Sequence, residues 1–132
     1  MSYTNGLDDP TAYFQTKIYT GNNSSQTITG VGFQPDWVWF KSRTTTDSHY
    51  LVDSVRGNTK YLRSQTTTAE ETNSTAVTSF NSDGYALGSA GNVNDNANYV
   101  AWNWKAGGSA SSNSDGDVTS SVSANTTAGF SI

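Results

Sequence analysis

Two segments decide what this chain can fold into. Pro35-Asp36-Trp37-Val38-Trp39-Phe40-Lys41 and Asn98-Tyr99-Val100-Ala101-Trp102-Asn103-Trp104-Lys105 each place two tryptophans two positions apart. Residues i and i+2 share one face of a β-strand, whereas helical neighbours recur at three or four. In the first segment Trp37 and Trp39 lie on one face and Val38 and Phe40 on the other. With both faces apolar, this strand belongs in the middle of a layered structure. In the second, Val100, Trp102 and Trp104 share one face by strict alternation, and Tyr99, Ala101, Asn103 and Lys105 form a more polar one. This pattern predicts tryptophans in the core, where such rings bury large areas.

Nothing elsewhere repeats with a helical period. Ser, Thr, Asn and Gly fill 63 of 132 positions, and these residues favour turns, caps and loops, with Thr also suited to strands. A chain so polar would be disordered were it not for its 4 Trp, 7 Tyr and 5 Phe, too many aromatics for a solvated tail. Further strands are expected over residues 13–20, 49–53, 59–63, 76–80 and 85–87. One helical turn is expected around Ala69-Glu70-Glu71, and Asp8-Asp9-Pro10-Thr11 opens a turn. Asn81-Ser82-Asp83-Gly84 is a hairpin signal, since Asp-Gly tolerates the positive φ of tight turns. It recurs as Asn113-Ser114-Asp115-Gly116. Short strands at this spacing predict a sandwich or barrel.

Charge narrows the partners. A net charge of −4 and a pI near 4.6 leave no basic stripe for a phosphate backbone, so nucleic acid is not an expected partner. No apolar run approaches the 18 residues of a spanning helix, and Met1-Ser2-Tyr3-Thr4-Asn5-Gly6 has neither a basic nor an apolar leader segment, so neither membrane insertion nor a signal peptide is expected. The absence of cysteine excludes disulfides, thiol catalysis and cysteine metal sites. A protein made in a host cytoplasm and used outside after lysis fits these properties.

Several blocks together resemble a known repeat. Tyr19-Thr20-Gly21-Asn22, Gly32-Phe33-Gln34-Pro35-Asp36-Trp37-Val38-Trp39, Asp53-Ser54-Val55-Arg56-Gly57, Ser79-Phe80-Asn81-Ser82-Asp83-Gly84 and Tyr99-Val100-Ala101-Trp102-Asn103-Trp104-Lys105-Ala106-Gly107 follow the order and spacing of a unit in virion structural, tail-fibre-like proteins of marine and cyanobacterial phages. The opening Leu7-Asp8-Asp9-Pro10 is also similar to the start of such proteins. The resemblance implies an all-β, antiparallel β-sandwich of concanavalin-like or jelly-roll type, located on the virion surface.

No catalytic constellation emerges. His49 is the sole histidine, and its neighbours Asp47 and Ser48 cannot form a triad with it on a strand, where adjacent side chains diverge. A solvent-side, strand-edge histidine is the plainer reading. A glycosidase needs two facing carboxylates, but Glu70 and Glu71 are sequence neighbours. Asp36, Asp53 and Asp83 remain, with Asp36 after Pro35 better suited to accept backbone donors in a turn. No cofactor is expected. Asp95, within Asn92-Val93-Asn94-Asp95-Asn96, and the Asp115/Asp117 pair offer oxygens for Ca²⁺, yet neither stretch has an EF-hand loop, and both read better as turns. Asp53, Arg56 and Lys60 stand out through the resemblance: with residues 52 and 62 in neighbouring strands, Arg56 pairs with a carboxylate or is a solvated turn charge.

With the tryptophans assigned to the core, Tyr3, Tyr19, Tyr50 and Tyr61 become the exposed aromatics expected to contact a glycan or a protein, alongside Arg56 and Asp53. The chain divides into an N-terminal arm over residues 1–12, a sandwich over 13–107, and a Ser/Gly/Thr-rich segment over 108–132. That last segment begins as a linker. It ends in Thr127-Ala128-Gly129-Phe130, an echo of Thr11-Ala12-Tyr13-Phe14, and reads as the first strand of a second unit or a strand completing a neighbour. The expected function is a non-enzymatic fibre or capsid-decoration subunit, homo-oligomeric and bound to other virion proteins through such arms. The alternative is an adhesin module that recognises host surface glycans.

Overall fold

The computed structural model describes residues 9–132, so Tyr3 lies outside the described residues. After a 3-10 turn at Pro10–Ala12, whose first turn is capped by the Asp9 carboxylate, the strands are β1 (Phe14–Thr20), β2 (Gln26–Ile28), β3 (Trp37–Ser42), β4 (Tyr50–Asp53), β5 (Lys60–Tyr61), β6 (Glu71–Thr72), β7 (Val77–Asn81) and β8 (Gly84–Leu87). A single helical turn, α1 (Gly91–Asn94), precedes β9 (Asn98–Trp104). Four short strands end the chain, β10 (Ser111–Asn113), β11 (Ser120–Val122), β12 (Ala124–Asn125) and β13 (Phe130–Ser131).

The result is an antiparallel β-sandwich. One sheet runs β1-β9-β3-β4 and the other β2-β8-β7. A bridge between Leu51 and Leu62 continues the larger sheet toward the β5–β6 pair. Val38, Phe40, Tyr50, Val52 and Ala101 of the larger sheet pack against Ile28, Val77, Tyr85 and Leu87 of the smaller. Phe40 meets Tyr85 edge-on at 5.1 Å, a favoured aromatic geometry.

The β7–β8 hairpin forms where Asn81-Ser82-Asp83-Gly84 predicts it, with Asn81 opposite Gly84. Gly84 has φ 142°, and a Cβ there would sit 2.0 Å from the Ile28 carbonyl oxygen, so the turn requires glycine. Beside it the Asp83 carboxylate accepts the Gly30 and Gly32 N–H groups, and these bonds hold its pKa below the usual value.

Two expectations change. The turn around Glu70-Glu71 is extended, because β6 pairs with β5 in the register Tyr61 opposite Glu71. Ion pairs from Arg63 to Glu71 at 3.0 Å and from Arg56 and Lys60 to Glu70 at 3.4 and 3.5 Å line this edge. Conversely, Asn92-Val93-Asn94 lies in a helical turn. Its organising residue is the fully buried Asn94, whose amide donates to the Ser24 and Gly88 carbonyls and whose oxygen accepts from the Asn22 N–H and the Gln26 amide. A buried amide satisfied on both sides fixes its surroundings, since stranding any partner is costly.

Residues 108–132 form two antiparallel ribbons, β10–β11 and β12–β13. They contain one fully buried side chain, Ser123, whose hydroxyl donates to the Gly108 carbonyl and accepts the Gly107 N–H.

An aromatic face as the candidate functional site

In an antiparallel pair, residues directly opposite share a face. Trp37 stands opposite Trp104 and Trp39 opposite Trp102, so the four tryptophans must lie together. They lie on the outer face of the larger sheet. The inner face takes Val38, Phe40, Tyr99, Ala101 and Asn103, all buried, while each tryptophan is half-buried. The core expected for the tryptophans is therefore corrected. The polar-looking face of β9 goes inside because Ala101 makes room opposite Phe40; the Asn103 NH2 group follows by donating to the Gln15 and Ala101 carbonyls, although its Oδ1 is buried without a partner.

The outer face reads as three rows across β1, β9 and β3. Phe14, Trp104 and Trp37 form the first, Thr16, Trp102 and Trp39 the second, and Ile18, Val100 and Lys41 the third. Ring contacts join the first two rows: Phe14 to Trp104 at 5.0 Å, Trp37 to Trp104 at 4.4 Å, Trp37 to Trp39 at 6.2 Å and Trp39 to Trp102 at 5.9 Å. Ile18 is 64% exposed. This contiguous, partly exposed apolar surface makes the outer face the candidate site.

The two ends of the face differ. At one end the β12–β13 ribbon lays Phe130 flat against Trp37 and Trp104, at 5.8 and 6.1 Å. A 310 Å³ cleft there is lined by Pro10, Tyr13 and Phe14 on one side and Ala128, Gly129 and Phe130 on the other, with Trp104 beneath. The two echoed segments, residues 11–14 and 127–130, thus meet over one tryptophan. At the other end a 310 Å³ pocket is lined by Trp39, His49, Trp102 and Trp104. The Trp39 indole N–H donates to His49 Nδ1 at 2.7 Å, so the neutral imidazole carries its proton on Nε2. Burial, with the nearby Lys41 ammonium adding to it, lowers the His49 pKa.

The tyrosines assigned to the surface are corrected as well. Tyr50 and Tyr61 are buried and stacked at 3.9 Å, with the Arg63 guanidinium over Tyr61 and donating to its hydroxyl. Tyr19 is half-buried against Tyr99, its hydroxyl donating to the Val93 carbonyl at 2.6 Å. The α1 turn supplies carbonyls to the Tyr19 and Tyr99 hydroxyls, whereas the Tyr50 hydroxyl is buried without a hydrogen-bond partner and its ring is held by the stack on Tyr61.

Asp53 and Arg56 do meet, but locally. Asp53, nearly buried, accepts the Arg56 N–H at 2.7 Å and Nε–H at 2.5 Å, closing the turn after β4, while Lys60 reaches Glu70. Asp36 is buried and accepts the Ser54 hydroxyl at 3.0 Å and the Ala106 N–H at 2.8 Å. Its own backbone donates to the Trp104 carbonyl and accepts the Ser54 N–H. Asp36, Ser54 and Ala106 come from three different blocks of the sequence pattern, so that pattern encodes a structural junction. Asp95 accepts the Asn96 N–H, and Asp115 accepts from the Asn113 amide. Among the described residues no three acidic or histidine side chains gather as a metal site.

Sequence reasoning missed the site itself: Trp39, Trp102, Trp104, Lys41 and Phe130 were not assigned to it. The signal was the large-small match of Phe40 with Ala101, which marks the closed side.

No curated protein and no solved structure matches the chain. Residues 9–132, which include both ribbons, match one family over most of the sequence, and the chain belongs to that family, described as a domain of unknown function (DUF7483).

Proposed function

We propose that this chain is a structural unit of a phage virion surface, a fibre or capsid-decoration component that works through protein-protein contacts and catalyses nothing. The observation that carries this reading is the seat of Phe130. Two-stranded ribbons are marginal by themselves in water, and these have almost no core, yet one ribbon places an aromatic ring on the tryptophans of the sandwich. A ribbon-borne aromatic on a tryptophan face is a contact that a neighbouring subunit can make equally well. The exposed strands beside it suit pairing with another chain. Val118, 78% exposed on the ribbon segment, is a second apolar contact point. The order of the sequence blocks supports the virion assignment. The commitment of Asp36 and Asp53 to their own backbone and to Arg56 supports a role without catalysis.

Size-exclusion chromatography with light scattering tests this, together with co-sedimentation on virions that lack the protein. A defined oligomer or virion binding that weakens in Phe130→Ala and Val118→Asp is expected. A monomer at all concentrations that ignores virions overturns the reading.

A further inference from the structure

We infer that the open end of the aromatic face is a binding site for an acidic pyranose, a sugar ring bearing a carboxylate, with the ring on Trp39 and Trp102 and the carboxylate toward Lys41. This inference is independent of the assembly reading, which concerns the ribbons and the covered end.

The geometry begins with the pocket of about 310 Å³ lined by Trp39, His49, Trp102 and Trp104. Trp39 and Trp102 stand at 71° to each other with centroids 5.9 Å apart, so they form two walls of a corner. The Trp39–His49 hydrogen bond holds one wall in place at 2.7 Å, and the His49 N–H, which donates to Gln65 Oε1 at 3.2 Å, anchors the loop behind it. Rigid apolar walls with polar atoms only at the rim match a pyranose, whose C–H face is apolar and whose edge is hydroxylated. Orientation then rests on a few placed polar groups. Here His49 lines the pocket with its Nε2–H, while Thr16 in the Trp102 row and Lys41 one row further along β3 flank it on the same face of the sheet.

Charge selects an acid. Lys17, Arg43 and Lys105 form no ion pair among the described residues, whereas Arg56, Lys60 and Arg63 are all paired with carboxylates. Lys41 is not: its ammonium donates to the Asp47 backbone carbonyl at 2.9 Å, and no carboxylate among the described residues forms an ion pair with it. The nearby Asp47 side chain instead accepts from the Thr45 hydroxyl. A cation beside a partly dry aromatic pocket, in a chain of net charge −4, is complementary to a single carboxylate rather than to a polyacid, which the overall charge repels. The field of Lys41 that disfavours protonation of His49 would be offset by a bound carboxylate, so binding and His49 protonation are coupled.

The test uses the full chain, whose single histidine gives one imidazole signal by NMR. The probes are methyl galacturonide and sialyllactose, each with one carboxylate, and neutral maltotriose as the uncharged control. Binding of either acid, seen as changed tryptophan fluorescence and a raised His49 pKa, with maltotriose at least tenfold weaker, is the expected result. Which acid binds separates a uronate from a sialate ligand. Trp102→Ala is expected to weaken acid binding at least tenfold, and Lys41→Gln to remove the preference for acid over neutral sugar. Lys41→Arg, which keeps the charge, should restore it if loss in Lys41→Gln came from charge and not from a displaced loop. No response to either acid, or equal binding of maltotriose, overturns the inference. Failure here together with normal assembly leaves the virion reading standing.

Discussion

The two faces of the larger sheet both carry aromatic rings, but only one is closed. Inside, Phe40 meets Tyr85, and Tyr99 and Ala101 pack with no solvent contact. Outside, four tryptophans, Phe14 and His49 form a surface that the rest of the described chain covers only where Phe130 lies on Trp37 and Trp104. The comparison teaches that ring size does not decide which side of a strand is buried. Across β3 and β9 the inner face sets Phe40 against the small Ala101, and the second sheet fits at close range there. Indoles in four adjacent positions leave no such relief and would overfill that layer.

The sharpest way to break this comparison is to truncate one residue on each face. Phe40→Ala empties the middle of the core and should cost about 3–5 kcal/mol, read as a lowered urea midpoint with little change in slope. Trp102→Ala removes a larger side chain from the open face, and should cost only about 1–2 kcal/mol because half-burial contributes less than full burial. Equal losses would mean that the outer face is as closed as the inner one. Phe130→Ala tests the covered end: a half-buried aromatic stack of this kind is worth about 0.5–1.5 kcal/mol, and the expected sign is a small drop in Tm with a change in tryptophan fluorescence.

The smallest effect is one of pH. The folded-state pKa of His49 is lowered by burial and by Lys41, so the unfolded chain protonates first as pH falls. Stability is then full above about pH 6.5, the ordinary histidine value, and declines as pH drops toward the folded pKa. Protonation places a hydrogen on Nδ1 and breaks the bond from Trp39. Tryptophan fluorescence should therefore titrate below pH 6.5 in the native chain and lose that step in His49→Gln.

Much of the fold was legible in the chain. Period-two alternation located β1, β3, β4, β7 and β9 to within a residue or two at most ends, and the Asp83-Gly84 signal fixed one hairpin. These are local properties: alternation and turn chemistry act through the nearest neighbours. Alternation also determined that Trp37 and Trp39 share a face, as do Trp102 and Trp104. Which face meets the second sheet is a different question. It was decided by contacts between residues about forty to ninety apart, Phe40 with Tyr85, Ala101 opposite Phe40, and the Asn103 amide on the Gln15 carbonyl. The same holds for Tyr19, half-buried with its hydroxyl on the Val93 carbonyl of α1, more than seventy residues along the chain. The sequence by itself determined the longer strands and which tryptophans share a face. Only the tertiary structure decided that the tyrosines close the core and the tryptophans face outward: the fold brings carbonyls to the Tyr19 and Tyr99 hydroxyls, while Tyr50 and Tyr85, whose hydroxyls are buried without a hydrogen-bond partner, are held by ring packing against Tyr61 and Phe40.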